Sequence, residues 1–531
     1  RHTRSLCDWS SDVCSSDLYF IGPVNNAQPR NTWRGDNIMA TSDDGYLMPA
    51  SEMLAASSAF STTNVGRLAR GSVAGANTLF MVDKGTAGTT TAYVHTISSF
   101  PTVTTTTQTA ATPGASVAVD DAQQQRSPLV RFGSNAKYYC GGWDNGAATF
   151  AQIGEFEGAV APVWYDTPFP AGNHVQCVSH NDFMCLFTRT TTGSQRHRFY
   201  YSAPQNATSW TSSNYYDVGN PNWPIRAMVS RGGDLYIGKD EGWWVLTGVL
   251  GTTASLRKIA HRGPSTAVHP VPSTFGFFYP STEVAEPFAS AQLRLLRGST
   301  VEPLMYWPYP VPDGGQSAHV RELVRVGDHI VADGQDGTSL FIFNEMSRRW
   351  RRVLRPADST FGAVTYFTPC ENLGAAQHVY LVKGEDKTIG TASNRLYRHE
   401  LEPVEPPVTN AGAFTSGSAT LAEYAHKQPF IIEEVIAQLD LGYTTTNSTR
   451  SITTQMFTPG APFDAGISYT TLSARASTAQ TFTLPAASST NREKVWVRFK
   501  PNDGGHTMSV DPTVTLQGCK LVRLILRCQE V

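Results

Sequence analysis

The sequence predicts an all-β protein, a β-propeller of six to eight blades (about seven) followed by a C-terminal β-sandwich. Three observations predict it. The composition combines 44 Gly and 32 Pro with 40% hydrophobic and only 16% charged residues, which favours turns and short strands within a folded chain. A strand–turn–strand pattern recurs irregularly from about residue 61, at a spacing of roughly 40–60 residues, near that of propeller blades with loop insertions. The texture then changes after the Pro-rich stretch LEPVEPPVTNAG, Leu401 to Gly412, which reads as a linker.

The chain opens RHTRSLCDWSSDVCSSDL, Arg1 to Leu18. It lacks the apolar core of a signal peptide, and its Asp residues do not suit a transit peptide. DWSSDVCSSDL, Asp8 to Leu18, resembles the in-frame translation of a short-read sequencing adapter. RHTR matches the upstream part of the same adapter, with Ser5 and Leu6 where a variable index would fall. The resemblance implies that residues 1–18 are not part of the fold, that the protein proper starts at or upstream of Tyr19, and that the source is an assembled shotgun sequence of the metagenomic kind. Setting them aside leaves 40 basic against 41 acidic residues and six of the 8 cysteines: Cys140, Cys177, Cys185, Cys370, Cys519 and Cys528. These are scattered through apolar stretches, and small buried hydrophobes are expected rather than a disulfide framework.

Residues 19–60 mix Pro, Gly, Asn and Asp with isolated aromatics, and are expected to form an extended arm lying on another part of the protein. The tight turn at Asp43–Tyr46, DDGY, leads into an extended segment. Residues 61–405 are assigned to the propeller. Hairpins begin at Thr78, Tyr138, Phe183, Leu235, Phe275, His329 and Val379, each an apolar run, a turn rich in Gly, Asp or Thr, and a second apolar run. IRAMVSRGGDLYI, Ile225 to Ile237, and VRELVRVGDHIVA, Val320 to Ala332, share one layout, an alternating strand ending at a Gly turn that leads into the next strand. A closed ring of small antiparallel sheets hides strand edges without helices.

Residues 406–531 are assigned to the sandwich, of ordinary single-domain size. FIIEEVIAQLDLGY, Phe430 to Tyr443, reads as helix or strand. VWVRFKP, from Val495, alternates as a strand, and TVTLQGCKLVRLILRC, Thr513 to Cys528, reads as two strands broken at Gly518. The near-zero net charge argues against a broadly basic nucleic-acid binder. No apolar run reaches the roughly 18 residues a membrane helix needs.

The residues that could carry chemistry form only weak motifs. H-E-x-x-H, G-x-x-x-x-G-K-[ST], G-x-S-x-G and C-x-x-C do not occur. His174 with His180, and His261 with His269, lack a carboxylate at a ligand spacing and read as surface or strand-end residues. DGQDG, Asp333 to Gly337, could hold a cation weakly, but a hairpin turn fits it better. Ser202, Thr208 and Trp210 of YYSAPQNATSW partly match a sialidase-type turn without its Asp and Gly. Trp243 and Trp244 must point to opposite strand faces, with core packing favoured over a subunit contact or sugar platform. The concentrated basic patch is SRRWRRVLR, where Arg348, Arg349, Arg351, Arg352 and Arg355 surround Trp350. It could meet nucleic-acid phosphates or an acidic neighbouring subunit, or be a solvated strand with Trp350 in the core. No catalytic, cofactor or metal residue is assigned.

PRNTWRGDNI…DDGYLMP near the start, Arg198 to Gly248, and the ending VWVRFKPNDGGHTMSVDPTVTLQGCKLVRLILRC together resemble tailed-bacteriophage β-propeller virion proteins of the tail tube, nozzle or minor tail type. The resemblance implies a non-enzymatic part of a tail or head–tail assembly, located in the virion and assembled in host cytoplasm. It implies a homo-oligomer that could form a ring around the DNA path, with tail or connector proteins as partners, no membrane, and local DNA contact through Arg348, Arg349, Arg351 and Arg352. The alternative is a carbohydrate-binding or sialidase-like propeller such as a receptor-binding protein; a secreted bacterial lectin is a third reading.

Overall fold

The structure, a computed structural model, describes residues 17–21, 34–36, 38–40, 46–51, 54–59, 65–73, 76–83, 89–99, 102–111, 130–133, 137–144, 150–157, 160–171, 173, 175–188, 194–264, 270–282, 291–306, 320–334, 339–346, 349–354, 367–369, 371–372, 378–383, 395–403, 405, 407, 415–420, 424–441, 450–457, 480–484, 494–499 and 507–530. The regular elements among them are strands, with no helix. In particular, no described helix is long and apolar enough to cross a membrane.

Seven four-stranded antiparallel blades follow one another along the chain among the described residues. The first is Val65–Val73, Ala76–Asp83, Thr89–Ser99 and Thr102–Ala111; the second is Val130–Phe132, Lys137–Asp144, Phe150–Glu157 and Val160–Pro170. The third is Val175–His180, Phe183–Thr188, Arg198–Ala203 and Asn206–Asp217; the fourth is Ile225–Arg231, Asp234–Lys239, Gly242–Thr247 and Ser255–Ala260. The fifth is Val271–Pro272, Phe277–Thr282, Ala291–Arg297 and Thr300–Tyr306; the sixth is Val320–Val326, His329–Gly334, Ser339–Asn344 and Arg349–Leu354. In the seventh, Phe367–Pro369, His378–Lys383 and Arg395–Glu400 take their fourth strand, Leu54–Ala59, from the N-terminal side of the chain. From the second blade round to the first, the first strands of successive blades contact one another, so they are the inner strands of the ring. The recurring hairpins of the sequence are therefore propeller blades, within the expected range of number.

Closure uses both ends of the propeller segment. Leu54–Ala59 completes the last blade at its outer edge, and the short Glu371–Asn372 pairs in parallel with Val65–Val73 of the first. A ladder spanning the closing blade holds the ring shut by hydrogen bonds rather than by side-chain packing alone. The strand Leu54–Ala59 falls in the segment that the sequence assigns to the arm, because a strand whose partner is more than 300 residues away leaves no local signal.

Packing between blades follows from period-two alternation. All six residues of Phe183–Thr188 are buried, because both faces of a blade are covered by its neighbours. Met184 and Leu186 join a cluster with Phe132, Ile153 and Phe169 of the second blade. Cys185 and Phe187 join Met228, Ile237 and Trp244 of the fourth.

The C-terminal strands Ser416–Thr420, Tyr424–Asp440, Arg450–Phe457, Gln480–Leu484, Lys494–Phe499, Thr507–Gln517 and Lys520–Glu530 form the sandwich. The ambiguous stretch at residues 430–443 lies mostly in the 17-residue strand Tyr424–Asp440. Its register slips between Ile432 and Glu434, so that Ile432 and Val435 are both buried despite their odd spacing. That bulge is why simple alternation in the sequence does not identify the strand. The break at Gly518 is a turn between the last two strands, with Gly518 at φ 64°, where a side chain would be strained.

N-terminal strands bind this region to the ring. Asp17–Ile21 pairs with Lys520–Glu530, and Ile38–Ala40 pairs with Leu47–Pro49, which in turn touches Lys520–Glu530. Asp17 and Leu18, the end of the segment set aside from the fold, extend that first strand; backbone pairing asks only for an extended conformation and places little demand on side-chain identity. Residues 1–16 lie outside the described residues. Arg34–Asp36 sits between the outer strand of the sixth blade, Arg349–Leu354, and Ser416–Thr420. The result is a continuous sheet from propeller into sandwich.

Candidate functional site

The arginine-rich segment supplies the outermost strand of the sixth blade. Arg349 pairs with Asn344, Trp350 with Phe343, Arg351 with Ile342 and Arg352 with Phe341. On the other edge Arg352 is aligned with Asp36. Arg348 and Arg355 lie outside the described residues. The basic strand is thus at the outer rim of the blade, next to the join with the sandwich, rather than on an inner strand of the ring.

The other candidates are absorbed by the fold. Asp333 and Gly334 end His329–Gly334, and the chain continues to Ser339–Asn344, so DGQDG lies in a blade hairpin; residues 335–338 are outside the described ones. Ser202 is buried, accepts a bond from the Met184 amide at 3.0 Å and donates to the Ala203 carbonyl at 2.8 Å. Asn206 Oδ1 caps the adjoining turn by accepting from the Thr208 amide and hydroxyl, and Trp210 packs on the cluster between the second and third blades. This is a structural hairpin. Trp243 and Trp244 are both core, one in each neighbouring inter-blade cluster. Cys177, Cys185 and Cys519 are buried free thiols. Burial raises the Cys185 thiol far above its ordinary value and pushes Cys519 up to about 12, so neither is a thiolate nucleophile at neutral pH.

Two of the four singled-out histidines are described. His261 is exposed. His180 is buried and shares a hydrogen bond of 2.9 Å between its Nδ1 and Ser230 Oγ of the next blade. His174 and His269 lie outside the described side chains. Among the described residues, no group of three or more His, Cys, Asp or Glu side chains could hold a metal ion.

The His180 contact begins a series of polar links between consecutive blades. Arg231 of the fourth blade donates to the carbonyls of Ser273 at 3.2 Å and Thr274 at 2.8 Å in the fifth. The Thr274 amide donates to Glu345 Oε1 of the sixth at 3.0 Å, and Arg325 donates to the Pro272 carbonyl at 2.9 Å while pairing with Glu345 at 3.3 Å. His329 of the sixth lies 3.4 Å from Glu402, which follows the third strand of the seventh. All lie at strand ends on the side where the first and second strands of each blade are joined. On the opposite side, the buried Lys239 ammonium donates to the carbonyls of Val218 at 2.5 Å and Asn220 at 2.6 Å and pairs with Glu241 at 3.3 Å. Burial lowers its pKa, partly offset by Glu241. None of these residues carries a motif, since each acts on a main-chain carbonyl or a group on another blade.

Among the described residues, Tyr–Arg neighbours of the kind the sialidase-like alternative requires include Tyr279 with Arg294 and Tyr215 with Arg198. Tyr279 is fully buried between the fourth and fifth blades beside Trp243, and burial raises its phenol pKa. Arg198 stacks 3.5 Å over the ring of the partly exposed Tyr215 and binds Asp217 at 2.7 and 3.0 Å. That hydrogen bond holds the Asp217 carboxyl below its ordinary range. The first set has no solvent approach. The second is a charge-assisted ion pair between the third and outer strands of the third blade, with an acid held ionised.

No protein-family model matches the chain, and no curated protein matches it. Among solved structures, the Neurospora crassa Pan2 WD40 domain aligns with 67% of this chain and 90% of its own, at 8% identity and a TM-score of 0.35. A chain of the mitotic checkpoint complex aligns with 68% and 94%, at 12% identity and 0.33, and a luciferin-regenerating enzyme with 64% and 92%, at 10% identity and 0.34. These likenesses carry no argument about activity; the propeller rests on the strand order described above.

Proposed function

We propose that this chain is a non-enzymatic structural component of a bacteriophage tail or head–tail assembly, one of several copies around the DNA path. The observation that supports this best is the continuous sheet through Arg34–Asp36, which joins the outer edge of the sixth blade to the sandwich. A propeller that only presents a ligand site needs no such join. A part that must hold its shape under load gains from it, because the two bodies share one hydrogen-bond ladder. The sequence resemblance at the arm, at Arg198 to Gly248 and at the C-terminus points the same way. The position of Arg349–Leu354 refines the reading: DNA would be met along the outside of each propeller, with several copies around a common axis, and not through the hole of one ring. Partners are other tail or connector proteins, and localisation is the virion.

Negative-stain microscopy and light scattering of the full chain test this. Discrete rings of several copies are expected. A strictly monomeric protein that binds glycans on an array would overturn it in favour of a receptor-binding or glycan-cleaving propeller.

A further inference from the structure

Among the described residues, the strand Lys494–Phe499 is a sheet edge. One side pairs with Tyr424–Asp440, from Val435 with Phe499 to Asp440 with Lys494. Among the described residues no strand pairs with its other side. Its side chains alternate: Val497 and Phe499 are buried, Trp496 is 49% exposed, and the Arg498 side chain is 69% exposed. Arg523 of Lys520–Glu530 lies 4.6 Å over the Trp496 ring, and Glu434 reaches Arg498 at 3.6 Å. In the sequence the positions of this phase within the strand read Lys494, Trp496 and Arg498.

An open edge of β-branched and aromatic residues is a template for another strand. The charges decide which one. An added strand must keep the phase that buries Val497 and Phe499. A second copy of the same strand, antiparallel and in phase, sets Lys494 against Arg498 when centred on Trp496, and Arg498 against itself when centred there. Like charges directly opposite are destabilising, so the row disfavours self-pairing and favours an acidic strand.

We propose that the Lys494–Phe499 edge receives, by strand addition, an extended segment of another protein that carries acidic residues at alternate positions with apolar residues between them. The inference stands apart from the assembly reading, since a monomeric chain could bind such a segment equally well. The test uses the full chain and a soluble synthetic peptide alternating Glu and Val, with a Lys–Val peptide as its counterpart. The Glu peptide is expected to slow amide exchange across 494–499 and to change Trp496 fluorescence saturably. Arg498→Glu, at an exposed position, is expected to weaken it about tenfold, as cross-strand charge pairs predict, and to improve the Lys peptide, while Arg498→Lys keeps the wild-type preference. Equal protection by both peptides, no protection by either, or concentration-dependent protection without peptide (a second copy at the edge) would each overturn the proposal.

Discussion

Trp243 and Trp244 show what one step of strand alternation does inside a ring of blades. Trp243 lies with its ring 4.7 Å from Phe277 and 5.0 Å from Tyr279, and Trp244 packs with Met228, Phe183 and Leu250 on the other face. Neither is available to a ligand. Trp243→Ala removes a fully buried aromatic and is expected to cost about 3–5 kcal/mol, read as a lower urea midpoint with the slope unchanged. His180 gives a pH-dependent counterpart. Burial holds its imidazole below its ordinary value, with Asp234 opposing. The unfolded chain then takes up the proton first, so the His180 contribution is intact above the unfolded pKa of about 6.5 and is lost as pH falls from there through the folded pKa. His197 is also lowered by burial and adds to the same trend. The wild-type protein is expected to lose more stability between pH 7.5 and 5.5 than His180→Gln, compared by urea midpoints at the two pH values. Equal losses would mean that the link to Ser230 does not sense the proton.

At the scale of elements, three residues carry a large share of the architecture. Gly35, paired with Ala419 and set between Arg349–Leu354 and Ser416–Thr420, has no side-chain core to rely on; its role is main-chain pairing. Gly35→Pro removes an amide from that ladder and is expected to uncouple the bodies. Limited proteolysis should cut faster between residues 401 and 415, and thermal unfolding should split into two transitions while each body keeps its strand content. This splice was not legible in the sequence, because RGD is too short and polar to show a period. The blades were legible, since each is a hairpin of near neighbours whose turn and alternation sit within some 20 residues, as in Asp234–Lys239 and Gly242–Thr247. What escaped was every element whose partner is distant: Leu54–Ala59 on Arg395–Glu400, and Glu371–Asn372 on Val65–Val73. The links between blades escaped for a related reason. Arg231, Lys239 and Glu345 bond largely to main-chain groups, and a carbonyl has no sequence signature.

At the scale of the whole molecule, the ring, its closure and the splice put the basic strand Arg349–Leu354 on the outer rim beside the sandwich. That placement separates two uses of the arginines. As a solvated strand they would leave the protein indifferent to DNA, in keeping with a formal net charge of −2. As a wall facing DNA they would act together only in the assembled particle, where copies repeat the strand around a common axis and each phosphate contact releases counterions. The two differ in salt dependence. Assembled protein is expected to bind duplex DNA of unrelated sequences equally, with an affinity falling steeply as salt rises. Replacing Arg348, Arg349, Arg351 and Arg352 by Gln should flatten the slope of log affinity against log salt by about 0.9 for each arginine that touches a phosphate, so by up to roughly 3.6 per copy engaged. Particle shape under the microscope should not change, because main-chain pairing with Asn344, Phe343, Ile342 and Phe341 survives the substitution. An unchanged slope with intact rings would assign the patch to solvent and place the DNA path elsewhere; lost rings would instead make the arginines part of a contact between subunits.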